Sequence, residues 1–141
     1  MKNVIFSLLL MLVGSFAFAQ SPIGIWKTMD DETGKAKSHV QIFEQNGLLY
    51  GKVVKILDPA KQNAVCKDCS GERKNQRILG MQILSGLKKN GSKWDGGKII
   101  DPNKGKEYSS SLELDGNDTL KVRGYMGISL LGRTQTWHRV K

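Results

Sequence analysis

The chain of 141 residues carries 22 Lys and Arg against 13 Asp and Glu, a formal charge of +9, with two Cys and two His. That length suits one compact domain, and the two Cys and two His lack the paired spacing that a four-ligand zinc module needs. The basic excess is scattered rather than massed, so it reads as a solvated surface and not as a nucleic-acid footprint.

Met1-Lys2-Asn3 precedes an almost wholly apolar stretch from Val4 to Val13, and Ala17-Phe18-Ala19 supplies small residues at the spacing that signal peptidase reads. The expectation is a secretory signal peptide over 1–19, cut after Ala19, with 20–141 as the mature domain. The apolar stretch falls short of the ~20 residues of a spanning helix. No Cys sits at the cut to carry a lipid, and no later segment approaches spanning length. The expected address is periplasmic or secreted, where thiols oxidise. There the polyanions within reach are lipid headgroups or acidic envelope polysaccharide.

Beyond the leader, glycines punctuate short apolar stretches. A first strand is expected over 24–29, followed by Asp30-Asp31-Glu32 and Thr33-Gly34 as a solvated turn. Asn46-Gly47 separates strands at 38–45 and 48–57, and Asn90-Gly91 separates strands at 77–88 and 92–100. Gly96-Gly97 permits a bend or a close strand approach. Asp101-Pro102 opens the turn into the next strand, where Tyr108, Leu112 and Leu114 alternate with Glu107, Ser109, Ser111 and Glu113. After the turn at 115–118, Leu120, Val122 and Met126 alternate with Thr119, Lys121, Arg123 and Tyr125; the last strand is expected over 130–140. Period two means one buried and one wet face. The strands near Leu48 and Arg77 alternate poorly, which predicts bulges or burial on both faces. Eight strands joined by hairpins leave two long edges unless the sheet closes. The expected fold is therefore all-β, a single eight-stranded antiparallel up-and-down barrel.

The one long connection runs from Asp58 to Gln76 and holds Cys66-Lys67-Asp68-Cys69. Four readings of this C-x-x-C compete. Covalent haem needs a His next, and Ser70 stands there; zinc needs more ligands than His39 and His138 supply by their spacing; a redox pair needs a helix to stabilise its thiolate. A structural disulfide between Cys66 and Cys69, stiffening the loop, is the favoured expectation.

Closing the barrel brings the ends of the chain together. Gly24-Ile25-Trp26 then meets Trp137-His138-Arg139, and the Arg139 guanidinium is placed to stack on the Trp26 indole, with Gly24 letting the backbone turn beside the ring. This pairing resembles the lipocalin and calycin group, with its G-x-W opening and a late Arg over the Trp. A closer resemblance takes in Leu49-Tyr50-Gly51-Lys52-Val53, Gly97-Lys98-Ile99-Ile100-Asp101-Pro102, Gly105-Lys106-Glu107-Tyr108, Leu120-Lys121-Val122-Arg123-Gly124 and Gly132-Arg133-Thr134-Gln135-Thr136-Trp137, in that order. Together these are similar to the exported bacterial family catalogued as domain of unknown function 2147. The resemblance implies a lipocalin-like barrel in the bacterial envelope and carries no catalytic residues. Members often have Asn-Pro in the middle loop where this chain has its C-x-x-C.

No G-x-S-x-G, H-E-x-x-H or Walker loop occurs. The expectation is a non-enzymatic, monomeric binding module, without cofactor or metal, for a small apolar or amphipathic envelope molecule. Tyr50, Arg133, Gln135 and Trp137 are expected to face inward, the last three sharing one strand face. Two alternatives stand beside it: a side-chain-filled barrel that binds an envelope protein or anionic glycan, and a thiol-disulfide redox protein using Cys66 and Cys69.

Overall fold

In the computed structural model, which describes residues 20–141, eight antiparallel strands close into one barrel. The expected leader and its cleavage site lie outside the described residues. In chain order the strands are β1 (Gly24–Met29), β2 (Ala36–Gln45), β3 (Leu48–Ile56), β4 (Gln82–Asn90), β5 (Lys93–Asp101), β6 (Lys106–Leu114), β7 (Thr119–Tyr125) and β8 (Gly132–Arg139). Each pairs with its neighbour, and β1 closes on β8 through Trp26 opposite Arg139 and Lys27 opposite His138. Closure leaves no free sheet edge, which removes the aggregation hazard of an open meander.

Strand connections alternate between two ends. The turns at Asn46-Gly47, Asn90-Gly91 and 115–118 lie at one end with both termini of the barrel, while 30–35, 57–81, 102–105 and 126–131 lie at the other. Inward residues near the first end are large and fully covered: Trp26, Val40, Ile42, Leu84, Leu87, Leu112 and Leu120. This half is packed solid.

Where alternation breaks in the sequence, the register shifts in the structure. The β3–β4 ladder slips between Leu49 and Gly51 and again between Gly51 and Lys52, and β5 slips against β6 between Trp94 and Gly97. Gly96 has φ 75°, and a Cβ on Gly97 would run into the Ser85 carbonyl of β4. Here the left-handed Gly96 turns the bulged strand and the bare Gly97 permits the close approach of β4. Leu84 and its neighbour Ile83 are both buried on β4, because the register shift between Gly51 and Lys52 makes Ile83 an extra residue there, and Ile83 lines the barrel's cavity.

Several expected boundaries move. β4 starts at Gln82 rather than Arg77, because 57–81 forms a long packed connection with short 3-10 turns at Pro59–Lys61 and Gly71–Arg73. Arg77 instead makes an isolated bridge with Val65. β7 stops at Tyr125, which leaves Met126 beyond the strand, and β8 begins at Gly132 rather than Leu130.

Candidate functional site

The closed end is a polar staple over a buried ring. Arg139 lies 4.3 Å from the Trp26 ring centroid, measured from its guanidinium carbon. Its three nitrogens donate to the Asn117, Ile23 and Ser21 carbonyls at 2.8, 3.0 and 2.8 Å. The Trp26 indole donates to the Pro22 carbonyl at 2.8 Å. One side chain thus ties the N-terminal segment and the β6–β7 turn across the barrel floor. Gly24 has φ 142°, and a Cβ there would sit 2.6 Å from the Arg139 Nη1, so both its backbone and its emptiness are required.

The opposite end is hollow. A cavity of about 710 Å³ opens there, with Val53, Ile99, Val122 and Trp137 among its apolar walls. Strand register sets the depth of each β8 residue. Trp137 pairs with Leu120 of the packed floor, Gln135 with Val122 above it, and Arg133 with Gly124 near the mouth. The Trp137 indole donates to Gln135 Oε1 at 3.0 Å, which fixes the amide within the wall. At the rim, Arg133 pairs with Asp31 at 3.4 Å while staying largely exposed. The Thr28 and Ser38 hydroxyls share a hydrogen bond of 2.7 Å on another wall.

The remaining rim is charged. Asp30, Asp31, Asp58 and Asp101 line the mouth together with Lys35, Lys37, Lys61 and Lys104. Asp30 accepts from the Thr33 and Glu32 backbone N–H groups, and those bonds, the Thr33 one foremost, hold its carboxyl below the usual range. Asp58 and Asp101 likewise accept backbone N–H bonds in their own turns. These carboxylates are turn-formers held close to the backbone.

Tyr50 corrects the expected site. Leu49, Gly51 and Val53 are the buried residues on either side of Tyr50 in β3, so Tyr50 has the opposite parity and faces outward. It stacks on Phe43 of β2, with ring centroids 5.9 Å apart and planes at 24°. The aromatic residues that line the cavity with Trp137 are Tyr108 and Tyr125. Tyr108 was legible as an inward residue of an alternating strand; what the sequence lacked was any sign that the barrel is empty at that level. Ser110, the next inward residue below Tyr108, is fully buried, and its hydroxyl has no hydrogen-bond partner among the described residues.

Cys66 and Cys69 form a disulfide with Cα atoms 5.4 Å apart, and both are buried. The loop carrying them lies against the β5–β6 turn, where a Cβ on Gly105 would collide with the Asp68 backbone. Arg73 of the same loop pairs with Glu107 of β6 at 3.3 Å. Buried sulfurs are closed to an exchange partner, which disfavours the redox reading. Among the described residues no group of three or more His, Cys, Asp or Glu is placed to hold a metal ion. No helix among them is long and apolar enough to cross a membrane.

The comparisons agree with this geometry. A family model described as "uncharacterized protein conserved in bacteria (DUF2147)" matches residues 24–139. No curated protein matches the chain. Among solved structures, the protein HP1028 from the human pathogen Helicobacter pylori, described as belonging to the lipocalin family, is similar at 27% identity with a TM-score of 0.77; the match covers 87% of this chain and 85% of that one.

Proposed function

The chain belongs to the DUF2147 family of bacterial proteins and folds as a lipocalin-like barrel, and from that premise we propose that it is an exported, non-enzymatic module that binds one small amphipathic molecule. The observation that carries this reading is the cavity of about 710 Å³ open at one end of the barrel. Small-molecule sites span roughly 300–1,000 Å³ and combine apolar walls with a few placed polar groups. Here the apolar body of a ligand would lie against Val53, Ile99, Val122 and Trp137. Its polar head would meet Gln135, Tyr108 and the rim, where Arg133, Lys35 and Lys104 favour an anionic group. Export through a leader over 1–19 is supported by the Cys66–Cys69 disulfide, which persists in oxidising compartments.

The test is native mass spectrometry of the protein after exposure to a bacterial envelope lipid extract, with a fluorescent fatty-acid probe titrated in parallel. The expected result is a one-to-one complex that the probe displaces. Failure of both the extract and the probe to load the barrel would rule the reading out.

A further inference from the structure

Four large apolar side chains stand in solvent within six consecutive residues. Met126, Ile128, Leu130 and Leu131 are 65%, 60%, 84% and 75% exposed. They belong to the β7–β8 connection at the open end of the barrel, turned by Gly127 at φ 73° and by the 3-10 turn Ser129–Leu131. The neighbouring turns at this end are polar and capped by Asp30 and Asp101. Met126 and Leu131 also line the cavity, whereas Ile128 and Leu130 do not. The loop thus carries apolar side chains both at the cavity wall and in solvent at its tip. A soluble surface normally scatters such residues singly; a clustered, protruding set marks a contact site.

We propose that this loop is a wedge that docks the mouth of the barrel onto a lipid bilayer carrying anionic headgroups. Charge supports the choice of partner. Lys35, Lys61 and Lys104 surround the same mouth and form no ion pair among the described residues. Their long stems let the ammonium groups reach outward past the turn carboxylates. Basic groups flanking an apolar insertion are the pairing that anionic membranes retain. Size supports it too. A stable protein interface takes about 800 Å² from each partner with close shape complementarity, and four side chains on one narrow loop offer neither. A bilayer asks only that an apolar tip enter the acyl boundary. Docking itself needs no ligand in the cavity; passage of a lipid directly from bilayer to barrel rests on the binding reading above.

The test uses the chain from Gln20 onward, which contains every strand of the barrel, and measures co-sedimentation with vesicles of phosphatidylcholine alone or with about a third phosphatidylglycerol. The expected result is retention on the mixed vesicles and little on phosphatidylcholine. Ile128→Asp with Leu130→Asp should lower that retention by about tenfold or more, with an unchanged melting temperature and unchanged loading of the fatty-acid probe. Ile23→Asp, at an exposed apolar residue at the opposite end, should bind vesicles like the parent. Equal retention of the double variant and the parent overturns the proposal. So does equal retention on both vesicle types. Sedimentation of the parent as a dimer that the double variant converts to monomer, without vesicle binding by either, assigns the loop to a second copy and overturns it as well. If the barrel loads no probe yet the vesicle result holds, the binding reading fails and docking stands.

Discussion

The two ends of this barrel are built on opposite principles. At the closed end an indole is fully buried, its N–H is satisfied, and a guanidinium above it donates to three carbonyls from two chain segments. At the open end the same eight strands enclose empty space, ringed by turn carboxylates, lysines and a bare apolar loop. Polar satisfaction and close packing make the first end the source of stability. The second end gives up that packing, and the surface left uncovered is what a ligand or a membrane can use. Substitutions at the two ends should therefore separate: one set moves stability, the other moves binding.

The largest effect is expected at the floor. Trp26→Ala removes a fully buried ring and leaves a cavity beneath Arg139, which should cost about 3–5 kcal/mol in denaturant unfolding. Arg139→Lys keeps the charge but cannot make three directed bonds, and should cost about 2 kcal/mol. A loss at Trp26 no larger than at an exposed lysine would erase the contrast between the ends.

Gly124→Val probes the other end. A Cβ there would meet Ile99 Cγ2 and Tyr108 Cβ at 3.6 Å each, ordinary contact distance. Val suits a strand, so its methyls should fill the cavity mouth without strain. The expected outcome is a melting temperature within about 2 °C of the parent and loss of probe loading. Probe affinity equal to the parent's would mean that the ligand does not enter between β5, β6 and β7.

The disulfide belongs to the 57–81 connection at the open end and should have a smaller, local effect. Cys66→Ala with Cys69→Ala opens a loop closed over a sequence separation of three, and so short a loop recovers little chain entropy, at most about 2 kcal/mol. Faster proteolysis of 57–81 with near-parental barrel stability is the expected pattern. Global unfolding on reduction would make the loop part of the core rather than its cover.

How much of this could be read from the residues depends on where burial is one-sided. β6 and β7 alternate cleanly in sequence, and Leu112, Leu120 and Val122 are inward as that alternation requires. The pairing of Trp26 with Arg139 follows from closure, because the first and last strands of a meander have only each other. Tyr50 faces outward because β3 pairs with β2 without a shift from Leu48 to Val53, and an aromatic on that outer face finds Phe43 as a neighbour. Parity counted from Leu49 and Val53 would have placed it correctly. The cavity was not legible: Ile99, Tyr108 and Val122 read as core, and no local pattern says whether core positions meet across a barrel or stop short. Met126 reads as a strand residue by its alternation with Tyr125, and Leu130 and Leu131 read as the start of the last strand, since hydrophobicity by itself reads as burial.

The smallest effect concerns the outer wall, where His39 stands between Lys27 of β1 and Lys55 of β3 in register. Partial burial, then the Lys55 and Lys27 charges, push its imidazolium pKa below the ordinary 6.5. The neutral ring is thus preferred in the fold. Above that ordinary value both folded and unfolded chains hold His39 neutral, and it contributes nothing to pH dependence. As pH falls below 6.5, the unfolded chain takes up the proton first, so stability declines until the lowered folded pKa is also passed. Melting temperature followed from about pH 8 to about pH 5 should fall more steeply for the parent than for His39→Gln. Parallel curves would place the titrating group elsewhere. A ligand anion bound across the Lys27–His39–Lys55 row would favour the imidazolium and flatten the parent's curve. Ligand confined to the cavity would leave its slope untouched, so the same measurement also reports whether binding belongs to the barrel's mouth or to its wall.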